Sequence, residues 1–444
     1  MAYFKEYPYI TEKLDQSYDL FISKMKEVIT LVDQLFATQI HPQYGVYPDD
    51  ITEWLEANPK YKLNALCVTR IENDNAKEIP YNVYYAKANE RINKFLEEAK
   101  EAVEKINDTT LNKTWWKEYI TTLQNGFVHN KWEEAEIFFL TLPADSRLLL
   151  TLGPIDTYHD KITGTKQFYS GWLLIRNSAQ ENIDILLRDV KNINSKNSQN
   201  VTFFIGDLLF AGGEVAKHNT MGWSRPGKTE LFKKYGTIKA IAYNKLPIHT
   251  MRMGMAIEKS LEHWVMSKEL AEKVKQFHDN DSMIPLVLHE YSHTVDKNPL
   301  AQAHLGAYYT DIEETRANTM MLRLANLLTN KELLPKNSVQ LMFLRVLLYL
   351  PYLYEEYSIR QQREAYYFAG LYWLQKAEAL GIISVGEKIT LHESVLDKKI
   401  EKLTFEITQT IENYARRESS DEILAKQKKE LFLFGADLAI RFAW

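Results

Sequence analysis

The chain has 444 residues, 45% of them hydrophobic and 25% charged, which is ordinary soluble composition and enough for two or three lobes with sizeable cores. Lys and Arg total 54 against 59 Asp and Glu, so the net charge of −5 supplies no basic field for nucleic acid, and no nucleic-acid motif is present. The single cysteine, Cys67, excludes an internal disulfide framework and reads as a buried structural thiol.

The N-terminus, MAYFKEYPYITEKLD, carries charge from residue 5 onward and lacks the apolar core of a secretory signal. Region 1–130 is dominated by helical periodicity, clearest at 15–37 and 82–106. The Trp115-Trp116 pair within it reads as core packing. Region 131–250 is β-rich. Strands are expected at 136–142, 147–152, 168–176, 202–210 and 237–243, with one helix at 179–191 and a surface loop at 192–200. Region 251–444 is again helical, at 255–277, 283–297, 310–329, 338–350, 357–380 and 398–433. Its longest apolar stretch, 339–354, contains Arg345 and Pro351 and is too short for a clean membrane span. The charged stretch 411–430 reads as a solvated helix face. Cytoplasmic localisation, with no membrane or nucleic-acid partner, is the expectation.

Residues 289–293 read His-Glu-Tyr-Ser-His. On a helix, this HExxH spacing puts His289 and His293 one turn apart on the same face, where two imidazoles share one metal ion. Glu290 follows the first histidine, so its carboxylate reaches a water held by that metal. The segment 281–296 supports a helix, with Ser282 as N-cap and Pro285 in the first turn. Its run Ile284-Pro-Leu-Val-Leu288 is apolar, and burying two histidines and a glutamate after it is costly unless they are paired or metal-bound. A catalytic zinc needs a third protein ligand. The helical stretch 311–327 offers adjacent Glu313 and Glu314 beside an apolar stripe, and spacing permits either.

These residues resemble the dipeptidyl peptidase III family of zinc metallopeptidases, which pairs HExxGH, or in some bacterial members HExxH, with a downstream EECRAE-like motif. Here the pair is HEYSH at 289–293 and EETRAN at 313–318. The resemblance implies one zinc ion held by His289, His293 and Glu314, with Glu313 orienting a ligating imidazole. Asn318 replaces an acidic residue of the pattern. Residues 153–176 look like the family's strand-loop-strand segment, which puts Tyr158 on a tyrosine that polarises the scissile carbonyl. Asp156 falls on an acid that binds the substrate's free ammonium. Tyr169 replaces the second acid of that clamp, Ser224 falls near one of two substrate-binding asparagines, and Arg363 falls near a histidine that assists the transition state.

The implied fold is α+β, with two lobes separated by a cleft: a mainly helical zinc-binding lobe, and a lobe with a small β-barrel and helices. The implied activity is zinc-dependent hydrolysis of short peptides, releasing N-terminal dipeptides, with Glu290 as general base. The altered ammonium clamp keeps two alternatives open. One is a zinc endopeptidase or amidohydrolase that needs no free N-terminus; the other is a non-catalytic peptide-binding protein on the same scaffold.

Overall fold

The computed structural model describes residues 3–7, 14–39, 53–55, 57–61, 64–156, 167–193, 201–217, 220–226, 229–295, 301–359, 363–416 and 421–444. The chain forms two compact units, one from 1–180 and 200–245, the other from 181–199 and 246–444. Regions 1–130 and 131–245 thus fold together, apart from the helix at 179–193.

The first unit is built on a six-stranded sheet. In chain order its labelled elements are β1 (Lys5–Glu6), α1 (Asp19–Gln39), β2 (Cys67–Glu72), β3 (Asn75–Pro80), α2 (Ala86–Lys105), α3 (Lys113–His129), α4 (Trp132–Phe139), β4 (Leu148–Asp156) and β5 (Phe168–Arg176). After α5 (Ala179–Ile193) come β6 (Val201–Gly213), β7 (Gly222–Arg225) and β8 (Thr237–Ala242). The hydrogen-bonded order is β4-β5-β6-β8-β7, with β1 added to β6; β6 and β8 are parallel and the other pairs antiparallel. Strand β5 (FYSGWLLIR) is buried along all but its last residue, as expected of a strand covered on both faces.

Helix α1 lies against β5, β6 and α2, burying the helically spaced stripe Phe21, Met25, Val28, Ile29, Val32 and Phe36. Asp33 on that stripe is fully buried because its carboxylate accepts from the backbone N–H of Tyr3 and of Gly213, each at 2.8 Å. Gly213 is required there: its φ is +71°, and a Cβ would come within 2.0 Å of the Tyr169 carbonyl oxygen. Trp115 and Trp116 are both buried and meet edge to face at 5.3 Å, and Cys67 is a buried thiol.

Two local expectations change in this unit. Residues 136–142 are not a strand: Trp132–Phe139 is a helix that buries Trp132, Ala135, Glu136 and Phe139 at i, i+3, i+4 and i+7. A short apolar run is equally consistent with both states, and the buried face decides. Residues 67–80 form an unanticipated hairpin, turned by Asn73 and Asp74, both at positive φ (51° and 59°).

The second unit is helical. It comprises α5 and then α6 (Leu246–Leu261), β9 (Trp264–Val265), α7 (Lys268–Asp281), α8 (Met283–Ser292), α9 (Tyr309–Asn330), α10 (Ser338–Leu348), α11 (Leu350–Ser358) and α12 (Glu364–Ala379). The chain then continues through β10 (Ile383–Val385), β11 (Ile389–Leu391), α13 (Glu393–Arg416) and α14 (Asp421–Arg441). Helix α9 packs against α8, α12 and α13 and forms the hub of the unit.

Three expected long helices are broken. The 255–277 span is interrupted by β9, which pairs with β11, and restarts at Ser267, whose Oγ accepts from Leu270 N at 3.2 Å. The 357–380 span is two helices, α11 and α12, with Arg363 at φ 56° before the second. The 398–433 span is α13 and α14. Among the described residues, no helix is long and apolar enough to cross a membrane.

Candidate metal centre

Helix α8 places His289 one turn before His293, its C-cap residue, with a backbone bond from His293 N to His289 O of 3.3 Å. Val287, Leu288, Tyr291, Ser292, Thr294 and Val295 are all buried, so the helix is anchored on its apolar side. Ser282 precedes the helix as expected, but its hydroxyl lies 3.2 Å from Thr250 Oγ1 and makes no cap bond. The backbone there is already helical, and α7 runs almost directly into α8.

Helix α9 crosses this segment and brings Glu314 to the histidines. His289 Nε2 lies 3.2 Å from His293 Nε2 and 3.2 Å from Glu314 Oε2, and His293 Nε2 lies 3.7 Å from the same oxygen. The two imidazole rings are nearly perpendicular, at 89°. His289 is 8% exposed and Glu314 9%.

The opposite edge of each ring is committed. His293 Nδ1 donates to Glu313 Oε1 at 2.9 Å, and His289 Nδ1 donates to Asn318 Oδ1 at 3.0 Å. With the proton on Nδ1, each neutral ring turns its Nε2 lone pair inward. Glu314 Oε2 is buried and, although close to His289, makes no well-formed hydrogen bond. Three lone-pair donors therefore face one another in a buried pocket, an arrangement that repels unless a cation lies between them. Around a tetrahedral ion with bonds near 2.0–2.2 Å, such donors stand about 3.3–3.6 Å apart, close to the separations seen here. The triad fits a single metal ion.

The titration behaviour follows from this crowding. Burial disfavours a charged His289, but the adjacent Glu314 carboxylate, aided by Glu290 and Asn318, prevails and raises its pKa above the ordinary value. For His293 burial prevails over Glu314 and Glu313, and the pKa is lowered. Two imidazoles sharing one carboxylate accept one positive charge readily and resist a second.

Arg316 is part of the site, and its role was not foreseen from the sequence. Its Nε and Nη2 each donate to the Glu313 carboxylate at 2.8 Å, while Nη1 and Nη2 donate to the carbonyls of Val295 and Ser292 at 2.8 and 2.7 Å. It locks the orienting carboxylate and ties α9 to the end of the HEYSH segment. Its only sequence signal is the i, i+3 spacing from Glu313. Asn318, marked in the sequence only as a departure, carries the other orienting contact. Glu290 is half-buried beside His289 and contributes to that residue's raised pKa.

The remaining expected residues are spread more widely. Arg363 belongs to the same unit as the triad, and its guanidinium lies 5.9 Å from the Tyr366 ring, whose centroid is 6.3 Å from that of His289. Asp156 closes β4, paired with Phe168, and Tyr158 lies outside the described residues. Ser224 is exposed on β7, with its hydroxyl 3.0 Å from Thr237 Oγ1. Tyr169, expected to face substrate, is 0% exposed and enclosed by Tyr81, Tyr85, Phe127 and Trp132. Its aromatic ring fills the core, which is why an uncharged residue suits the position.

No family model matches the chain. Solved structures do share its fold. Dipeptidyl peptidase III from Caldithrix abyssi superposes with a TM-score of 0.72 at 14% identity, covering 94% of each chain. Dipeptidyl peptidase III from Corallococcus sp. strain EGB gives 0.73 at 16% identity, covering 98% of this chain and 93% of that one. The chain therefore has the two-lobe α+β fold of dipeptidyl peptidase III. By sequence it is 23% identical over 296 residues to Nudix hydrolase 3 of Arabidopsis thaliana, a match covering 62% of this chain. That match spans 36% of the relative's own length.

Proposed function

We propose that this chain is a zinc-dependent metallopeptidase that hydrolyses short peptides. The observation that carries the reading is the convergence of His289, His293 and Glu314, with Glu290 beside the first ligand. Two imidazoles and one carboxylate suit zinc and leave a coordination position open. When bound, zinc acidifies water and polarises a carbonyl oxygen. Glu290 takes the proton of the attacking water and passes it to the leaving amine. Glu313 and Asn318 keep the inward nitrogens unprotonated. By resemblance, Tyr158 and Arg363 stabilise the oxyanion, Asp156 holds a substrate ammonium, and Ser224 contacts substrate.

Replacing Glu290 with Gln removes the base and keeps the shape. Turnover should fall by roughly 10²–10⁴-fold while zinc stays bound. Undiminished hydrolysis by this variant would end the assignment.

The core position of Tyr169 favours a second reading on the same metal site. With that member of the ammonium clamp given over to packing, the enzyme would cut peptides or amides that have no free N-terminus. Dipeptidyl-naphthylamides compared with N-blocked peptides separate the two, because only dipeptide release requires the free amine.

A further inference from the structure

Arg363 is the N-cap of α12 and holds a left-handed backbone conformation, φ 56° and ψ 27°, unfavourable for a residue with a Cβ. Its guanidinium lies 5.8 Å from the Tyr352 ring and 5.9 Å from the Tyr366 ring, and its Nε is 3.8 Å from the buried Glu356 carboxylate. Tyr366 is half-buried, and its ring centroid is 6.3 Å from that of His289 at an interplanar angle of 36°. One aromatic ring therefore neighbours both a cation and an imidazole of the triad.

The helix starts on either side are also tied together. Lys428 on α14 bonds to Glu364, the residue after Arg363, and to Asp311 at 2.6 Å, three residues before Glu314. This keeps the first turn of α12 in register with the ligand-bearing helix α9.

We propose that Tyr366 is a positioning residue: its ring, next to both His289 and Arg363, sets where the guanidinium lies relative to the triad. Held there, Arg363 meets the carbonyl oxygen of a bound peptide as negative charge develops on it. The role of Arg363 in that step rests on the peptidase reading; the coupling between Arg363 and Tyr366 rests on geometry alone. The ring face is what attracts the guanidinium, so phenylalanine serves in place of tyrosine and leucine does not.

The test is a double-mutant cycle in the zinc-loaded full chain, using Tyr366→Leu, Arg363→Met and the pair, with Tyr366→Phe as control. Each single substitution is expected to lower kcat roughly tenfold with KM unchanged. The pair should be no worse than Arg363→Met alone, Tyr366→Phe should match the parent, and every variant should keep its zinc. Multiplicative losses overturn the proposal. So does a Tyr366→Phe defect equal to that of Tyr366→Leu, which would make the hydroxyl the acting group, or zinc loss in Tyr366→Leu, which would make the ring a mere prop for His289. If the parent protein hydrolyses no peptide, the peptidase reading falls, and the same cycle is read on its calorimetric affinity for an unblocked tetrapeptide. Non-additive losses there support the coupling; additive losses, or no binding, overturn it.

Discussion

His293 and Glu313 are joined by a hydrogen bond of 2.9 Å from Nδ1 to Oε1, on the side of the imidazole away from Glu314. Arg316 holds that carboxylate through two bonds of 2.8 Å. The contact fixes both the tautomer and the tilt of His293, and contacts of this kind set ligand basicity. Glu313→Ala should therefore weaken zinc binding by roughly 10–100-fold without removing a ligand. Competition with a chromogenic chelator measures it, and unchanged affinity would show that His293 is oriented by other means.

Asn318 performs the same service for His289 at 3.0 Å. Asn318→Leu removes the acceptor and should also lower zinc affinity, by roughly tenfold. Asn318→Asp restores the charge of the family pattern and, by strengthening the bond to Nδ1–H, should hold zinc at least as tightly as the parent. Weaker binding by the aspartate variant would count against this view of the contact.

Lys428 departs from the reading of 411–430 as a solvated face, since it bridges the buried Asp311 and the exposed Glu364. Lys428→Met would leave the Asp311 carboxylate buried beside no cation. The expected loss of stability is about 2–3 kcal/mol, below the range for fully buried pairs because the lysine side chain keeps 21% exposure. Asp311→Asn in the same chain should recover much of it. Denaturant midpoints measure both, and no recovery in the double variant would mean that the lysine acts by some other route.

The second unit should lose stability in mild acid. His278 Nε2 donates to the Thr250 carbonyl at 2.6 Å, so in the neutral ring Nδ1 accepts from the Tyr349 hydroxyl at 2.8 Å, and that hydroxyl accepts from Arg345. Burial lowers the His278 pKa, and burial together with the charges of Arg363 and Arg345 lowers that of His249 to about 3. A histidine whose folded pKa is depressed favours the folded state above its unfolded value, and that stability fades as pH falls below about 6.5. For His249, which stays neutral in the folded state across that window, the limiting slope is about 1.4 kcal/mol per pH unit. Unfolding midpoints measured from pH 7 to 5 check this; a flat profile would mean that both rings are protonated in the folded protein at no cost.

The candidate metal triad is the most legible part of the sequence, because helical spacing alone puts His289 and His293 on one face. The choice of Glu314 over Glu313 was not legible from spacing. It depends on how α9 crosses α8, which directs one carboxylate inward and the other behind His293. Arg316 and Asn318 were hidden for the same reason, since their partners lie on the other helix. Strands β5, β6 and β8 are readable from β-branched and aromatic runs, and β4 from a short leucine-rich run closed by Gly153-Pro154. The helix at 132–139 is not legible from sequence because four apolar residues in a row (137–140) carry no period. Helix breaks at Arg363 and Ser267 were missed because nothing near them is glycine or proline, and tertiary packing sets them instead. The buried state of Tyr169 follows from rings contributed by distant segments, which no local pattern reveals.

His289, His293 and Glu314 together are expected to hold one metal ion. Metal analysis of the purified full chain beside Glu314→Ala and Glu290→Gln tests it most directly. One zinc per chain is expected in the parent and in Glu290→Gln, with loss of the metal from Glu314→Ala. A parent chain without stoichiometric metal, or a Glu314→Ala variant that binds it as tightly as before, would contradict the site.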